Sequence, residues 1–389
     1  MWQIKKNVLF QELLAILLTL LGIFLIILIA PKLTERYRQR PQFTQKFVKG
    51  TVLEVLENDI EEDAFVENRY LGTQKLLVKI NEGEYKDREF EISNTLSALR
   101  SAVAYKGLTT IFAIRMDKNG EPVVWLYNYN RSPYIYLLFL VLAFVVIWVG
   151  HFRGVRSLLA LAFTTVMVLF VIVPCMWSPH PALIAIISLG VSCVASFILI
   201  AGFSKKSFCA TAGTISGICL AGLLAFLFGS IMNLSGIDME KGETLLYLAQ
   251  SRNFKITSLL FVSILIAGLG ATMDVAVSIA SSAEQLYIAD SSMPNHKYFT
   301  AIISIGKDII GTMTNTLILA FCGSSLPLAM MIWGYHMESA QFINIPLIVI
   351  NILQAVASSI GMVSSVFFTA IISVFVFKNF NTLKESKQN

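Results

Sequence analysis

The sequence is poor in charge: only 14% of its 389 residues are Asp, Glu, Lys or Arg, against about 25% in an average soluble domain. Hydrophobic residues make up 56% of the chain, and the mean hydropathy is +0.69. This composition and its long apolar runs exclude an ordinary soluble domain and predict an integral membrane protein in a lipid bilayer. The net charge of +5 comes from basic residues scattered over loops, so nucleic-acid binding is not predicted.

Histidine and cysteine are also scarce, with four and five residues respectively. The histidines stand singly, and neither an HExxH nor a CxxC pattern occurs. No cysteine lies in the hydrophilic segment 32–132, so that segment is predicted to fold without disulfides. We therefore predict no metal site and no cofactor.

The first apolar run is Leu13 to Ala30, which follows Lys5 and Lys6 and ends at Pro31. It is long enough to cross a bilayer as one helix. A cleaved signal peptide is the alternative. A retained anchor is favoured because the run exceeds the usual ~7–15 residues of a signal peptide and ends without a small-x-small site.

Segment 32–132 differs sharply from the rest, with 16 basic and 15 acidic residues between positions 32 and 131. Short β-branched and aromatic runs predict five strands, with a helix between the third and fourth at Asn94 to Tyr105. This pattern is typical of a small all-β, OB-like domain. Its balanced charge argues against an oligonucleotide ligand, which leaves a docking or gating role. The predicted strands are 47–56, 73–80, 88–92, 109–116 and 123–129.

The remaining chain predicts an α-helical membrane bundle, with about eight spans in all. Leu326 to Tyr335 is too short to cross and is either re-entrant or an extension. The last span is longer than one crossing needs and is interrupted by Ser358 to Gly361, so it is predicted to be either broken or tilted. The domains are then an anchor (1–31), an inserted β-rich domain (32–132), the helical membrane domain (133–378) and a tail (379–389). The predicted later spans are 134–149, 158–177, 182–203, 208–232, 257–282, 298–322 and 345–377.

Basic residues beside the spans predict the orientation. Ten fall on one side and three, Lys241, Arg252 and Lys255, on the other. The richer side is expected to be cytoplasmic. Both termini would then be cytoplasmic and the β-rich domain extracytoplasmic. The ten are Lys5, Lys6, Arg153, Arg156, Lys205, Lys206, Lys297, Lys378, Lys384 and Lys387.

Asp274 lies in the middle of an apolar span, where charged side chains are rare and mark functional sites. Ser278, Ser281 and Gln285 share its helix face at ~100° per residue. Two further helices carry polar stripes: Asp308, Thr312 and Asn315 on the next span, and Asn351, Gln354 and Ser358 on the last. Such stripes predict a polar seam between helices, with Asp274 and Asp308 turned inward to meet in a shared hydrophilic lining.

A different pattern marks the span 208–232, where small residues recur every four positions. Small residues let two membrane helices approach closely. This ridge is therefore predicted to be a packing seam, inside the subunit or between subunits. Its members are Gly213, Gly217, Ala221, Ala225 and Gly229.

The motifs Gly270-Ala271 with Asp274 to Ile279, and Asp308 to Ala320, resemble the YibE/F family of bacterial multi-pass membrane proteins. The hydrophilic domain makes the chain similar to the YibE type. Lys307 stands where an arginine is expected, and lysine lacks the planar fork for bidentate pairing. The resemblance implies a plasma-membrane protein that forms a homo-oligomer, or a hetero-oligomer with a YibF-type paralogue. It implies no activity.

Three functions remain open. A transporter would use the seam, including Lys307, to pass an ion or small polar solute, since carboxylates, hydroxyls and amides are hard ligands. A scaffold would use the same groups to fix helix register while displaying the β-rich domain. An intramembrane aspartyl protease is the third, disfavoured because Asp274 and Asp308 lack the Tyr-Asp and Gly-x-Gly-Asp motifs. We therefore expect no enzymatic activity.

Overall fold

The computed structural model describes residues 2–35, 45–97, 102–117, 120–242, 244–245 and 256–379. The chain forms two compact units, one of residues 39–145 and the other of residues 1–38 with 146–389. Four residues of the orientation count, Arg252, Lys255, Lys384 and Lys387, lie outside the described residues.

The first unit contains a curled antiparallel sheet of five strands in the order β3-β2-β1-β4-β5. Its outer strands, β3 and β5, also contact each other. Alternate side chains point inward, as in a sheet with one solvated face, and form a core that includes Val52, Leu76 and Phe112, all fully buried. The strands are β1 (Lys46–Glu62), β2 (Tyr70–Ile80), β3 (Glu89–Leu96), β4 (Thr109–Met116) and β5 (Pro122–Tyr129).

The helix predicted at Asn94 to Tyr105 is wrong within the described residues. Strand β3 continues to Leu96, and residues 102–105 are not helical. Two buried side chains hold this segment open. The Gln74 amide exchanges hydrogen bonds of 2.9 and 3.1 Å with the backbone of Ala104, and Asn94 donates to the carbonyl of Ala102 over 2.9 Å. Backbone groups that a helix would pair internally are satisfied from the sheet instead.

Within the described residues, seven helical segments are long and apolar enough to cross a membrane. Helices α4, α5 and α7 pack most closely together, while α6 packs on α5 and α7. Two short helices, Leu326–Gly334 and Ser339–Phe342, link α6 to α7. The long helices are α1 (Trp2–Thr34), α2 (Ser132–Met167), α3 (Pro181–Ala201), α4 (Lys205–Ile231), α5 (Ile256–Ala289), α6 (Asn295–Ser324) and α7 (Pro346–Val374).

Helix α2 combines two predicted spans. It continues through a π-helical turn, Val168–Ile172, and a final turn, Val173–Cys175. At His151 the backbone leaves the helical region, with φ 49° and ψ −129°. The bend is sharp, because a Cβ placed on Gly154 would collide with the carbonyl of Val146. The second and third predicted spans are thus the two arms of one bent helix.

The break predicted in the last span is wrong. Helix α7 runs without interruption from Pro346 to Val374 and is followed by a π-helical turn, Phe375–Asn379. The reason lies in its packing, because a Cβ on Gly361 would lie 2.7 Å from the carbonyl oxygen of Gly217 and 2.7 Å from the Ala221 Cβ. Gly361 therefore serves close approach to α4 and not a break in the backbone.

Candidate polar groove

Helices α5 and α6 form a hairpin whose register is set by buried contacts. The Tyr298 hydroxyl donates to the carbonyl of Ala283 over 2.6 Å. Farther along, a Cβ on Gly306 would lie 3.3 Å from the Ile279 Cδ1. The helices are antiparallel, so this register places Asp274 and Asp308 within about 5 Å of each other in depth at 1.5 Å per residue.

The Asp274 stripe lies on the outer surface of α5. Asp274, Ser278 and Gln285 are exposed and Ser281 is half-buried, whereas Ala276 and Ala283 on the opposite face are fully buried. The two serine hydroxyls donate to their own helix, to the carbonyls of Asp274 and Val277, both over 2.7 Å. Their oxygens still face outward as acceptors.

The stripe on α6 is exposed as well. Lys307, Asp308, Thr312 and Asn315 all lie on the surface. Among the described residues, the ion pairs found include neither Lys307, Asp308 nor Asp274. Within the described part of the chain, none of these three charges thus contacts an opposite charge.

On α6, the contacts show which side of the exposed face the stripe occupies. Thr312 and Asp308 lie roughly 40° and 80° round the helix from Tyr298, which bonds to α5. They lie roughly 140° and 180° from Phe299, whose ring packs on Phe367 of α7 at 5.8 Å. The α6 stripe therefore borders α5 and points away from α7.

On α5, Asp274 lies roughly 60° from Ala271, which packs in the apolar cluster shared with α6 and α7. On its other side, Asp274 lies roughly 60° from Val277. Val277 packs in the cluster shared with α3. The Asp274 stripe is thus open to the outside between α6 and α3. The two stripes lie side by side along one external polar groove.

This groove lies near the middle of both helices. Asp274 is 15 residues from the end of α5 at Ala289, and Asp308 is 13 residues from the start of α6 at Asn295, or roughly 20 Å in each case. A charged side chain at the centre of a membrane helix costs about 2.5–3.5 kcal/mol on insertion scales. Two carboxylates facing acyl chains would be strongly unfavourable, so the groove requires water or another protein surface.

The third predicted stripe does not join the groove. Ser358 is fully buried and faces Gly268, where an added Cβ would lie 3.2 Å from its hydroxyl. Asn351 is half-buried and donates to the Ser325 hydroxyl over 3.1 Å. Gln354 is half-buried on the same helix. These side chains lie at contacts between helices of the subunit.

The small-residue ridge of α4 packs against the same helix, α7. A Cβ on Gly213 would collide with the Thr369 hydroxyl, and one on Gly217 would lie 2.6 Å from the Gly361 carbonyl oxygen. Ala221, Ala225 and Gly229 are also buried. The α4–α7 contact is closed along the part of the ridge that Gly213 and Gly217 occupy.

Basic side chains gather at one end of the bundle. The Lys378 ammonium donates to the carbonyls of Ser291 and Met293, in the α5–α6 turn, over 2.7 and 2.6 Å. Lys206 and Glu284 form an ion pair of 3.6 Å between α4 and α5. In that turn, hydrogen bonds from Ser292 lower the pKa of Asp290.

Sequence patterns did not reveal a cavity of about 620 Å³ between the far ends of α4 and α7. Its lining is mostly apolar, with Asn233, Asp238 and Asn344 as polar members. Residues of the loops after α4 and before α7 complete its lining. No periodicity within one helix could have indicated a cavity formed by two helices and two separate loops.

The helices and the groove define the class of protein: a multi-pass helical membrane protein with a β-rich domain between its first two helices. The family model described as YibE/F-like protein matches residues 138–379. The chain therefore belongs to the YibE/F-like family. Comparisons with curated proteins and with solved structures each gave no match. Helix α1 and the β-rich domain lie outside the matched region.

Proposed function

We propose that this protein transports a small cation or polar solute along the α5–α6 groove. The observation that carries the proposal is the exposure of Asp274 and Asp308 side by side at the middle of two membrane helices. Ionisable residues at this depth usually line ion or substrate paths.

The chemistry of the groove favours a hard ligand. Carboxylate, hydroxyl and amide oxygens are supplied by Asp274, Ser278, Asp308, Thr312 and Asn315, and such oxygens suit Na⁺, H⁺ or a polar solute. Lys307, next to Asp308 in the chain, lies roughly 180° round α6 from Tyr298 and so outside the groove. The charges that line the groove are therefore the two carboxylates, which favour a cation.

The orientation follows from the charges. We propose that the end carrying Lys206 and Lys378 faces the cytoplasm of a plasma membrane, with both termini on that side. The β-rich unit would then be extracytoplasmic. We also propose that it is an OB-like barrel, an assignment supported by its five strands and by the contact between β3 and β5 that curls the sheet.

A membrane scaffold is the second candidate. The observation in its favour is the closed α4–α7 contact, where a Cβ on Gly217 would also lie 2.9 Å from the Ser365 Cβ. Helices packed this closely leave no passage between them. A scaffold would use the groove to bind another membrane protein. A catalytic role is not proposed, because Lys307 beside Asp308 opposes the shared proton of an aspartyl dyad.

Flux in proteoliposomes separates these functions. We expect the full-length parent to catalyse Na⁺- or proton-coupled flux and Asp274→Asn to lose it while keeping the parental elution volume in detergent. Asp290→Asn, in the turn outside the helices, is the matched control and should retain flux. A parent protein without flux, together with an Asp274→Asn variant that fails to assemble, would support the scaffold.

A further inference from the structure

One line of α6 is exposed along nearly the whole helix and carries both signs of charge. At its centre are Ser304 and Gly311, and a Cβ on Gly311 would have nothing within 4 Å. Lys307 and Asp308 flank this line on opposite sides, at roughly 100° from each other. This line therefore has small residues at its centre and charged residues at its two margins.

We propose that a second copy of this chain covers this line, with the two α6 helices packed in parallel about a two-fold axis along the membrane normal. Lys307 of each copy would then pair with Asp308 of the other. Small residues at the centre of a contact let two membrane helices approach closely, which suits Ser304 and Gly311.

The charges identify a second copy of the chain as the partner that covers the exposed line of α6. In a parallel two-fold pair, a residue on one margin of the contact faces the residue on the other margin at the same depth. Lys307 and Asp308 occupy those two margins and differ in depth by only ~1.5 Å. The surface is therefore complementary to itself, and one symmetry operation satisfies both charges in both copies. An unrelated partner would need its own pair of charges in the mirrored order.

Membrane depth supports the same conclusion. Lys307 is 12 residues from the start of α6 at Asn295, or roughly 18 Å, beyond the reach of headgroups at either end. Acyl chains offer no counter-charge or hydrogen-bond partner. A protein surface of opposite charge at that depth resolves both problems.

The contact also bears on transport, and in this respect the inference rests on the proposed function. The α6 line adjoins the groove, so the second copy would close the side of the groove that is open in one subunit. The path for the solute would then be bounded by two copies. Dimer formation itself can be tested without any flux measurement.

Cysteine cross-linking in membranes is the first test. Gly311→Cys is introduced into the full-length chain after the exposed Cys219 and Cys322 have been changed to serine. We expect oxidation to yield a cross-linked species of twice the chain mass. Leu161→Cys, on an apolar surface of α2 and 56% exposed, is the matched control and should remain monomeric.

Charge reversal is the second test. Lys307→Asp should reduce the Gly311→Cys cross-link by about tenfold or more, because two carboxylates would face two others. Asp308→Lys should do the same, and the double swap Lys307→Asp with Asp308→Lys should restore the parental yield. The proposal is overturned if the single reversals leave the yield unchanged, if the double swap fails to restore it, or if the product contains a different protein. A parent protein that forms the cross-link but shows no flux would refute the transport proposal alone.

Discussion

We predict that replacing glycine by alanine has opposite effects on stability at two positions of α4. At Gly217, an added Cβ would lie 2.6 Å from the Gly361 carbonyl oxygen, 2.9 Å from the Ser365 Cβ and 3.0 Å from the Thr272 Cγ2. At Gly229, on the same buried ridge, it would meet nothing within 4 Å. Gly217→Ala therefore tests the closeness of the helix contact, and Gly229→Ala is its matched control.

The magnitude follows from two opposing terms. Alanine in place of glycine within a helix stabilises it by roughly 0.5–1 kcal/mol. Overpacking a well-packed interior costs about 1–3 kcal/mol. The neighbours of Gly217 include the backbone of α7, which cannot move without displacing that helix. We expect Gly217→Ala to destabilise the bundle by about 1.5 kcal/mol and Gly229→Ala to stabilise it by ~0.5 kcal/mol.

The difference of about 2 kcal/mol corresponds to roughly 30-fold in the opening equilibrium of the bundle. Two cysteines, Cys193 and Cys209, are fully buried, so their modification by a thiol reagent reports that opening. The measurement is the labelling rate of purified full-length protein in which the other cysteines are serine. Equal labelling rates in the two variants would refute the packing argument.

Three smaller predictions concern single side chains. Tyr298→Phe removes the 2.6 Å hydrogen bond to the Ala283 carbonyl and should lower the free energy of unfolding by about 1 kcal/mol, measured by thermal unfolding in detergent. Ser292→Ala removes the largest cause of the lowered pKa of Asp290, so NMR titration should show that pKa rising. The depressed pKa stabilises the parent above the unfolded-state pKa of about 3.9, and this contribution is lost as pH falls through the folded pKa. Asp63→Ala removes a largely buried carboxylate that pairs with an arginine over 2.8 Å, so proteolysis of the following turn should accelerate about fivefold or more.

The sequence predicts the elements well where the pattern is regular and fails where tertiary contacts decide. The five strands were predictable from short runs of β-branched and aromatic residues, and β4 spans Thr109–Met116 as predicted. The false helix at Asn94 arose because its sequence is compatible with a helix. Hydrogen bonds exchanged between Gln74, a residue distant in sequence, and the backbone of Ala104 determine the actual backbone path.

Glycine produced the other error. Ser358 to Gly361 has the composition of a helix break, but only the structure shows that Ala221 of α4 lies against Gly361. Small residues serve both purposes, and the choice depends on what faces them.

The candidate site was only partly predictable, because a sequence pattern shows which residues share a helix face but not what that face contacts. Helical periodicity placed Asp274 with Ser278, and Asp308 with Thr312, on single faces. It could not tell whether those faces turn inward or outward, since polar residues in a membrane helix face either the bundle interior or another subunit. The structure places both stripes on the outside of one subunit, which moves the proposed seam from the bundle core to its surface.

The most direct test of the central claim is whether water reaches the Asp274 stripe at the middle of the membrane. Ser278→Cys, in a full-length background without other exposed cysteines, is treated in intact membranes with a charged, water-soluble thiol reagent, which reacts with the thiolate form. We predict rapid modification of Ser278→Cys and none of Leu161→Cys on the apolar surface of α2. Equal protection of both positions would contradict an aqueous groove between α5 and α6.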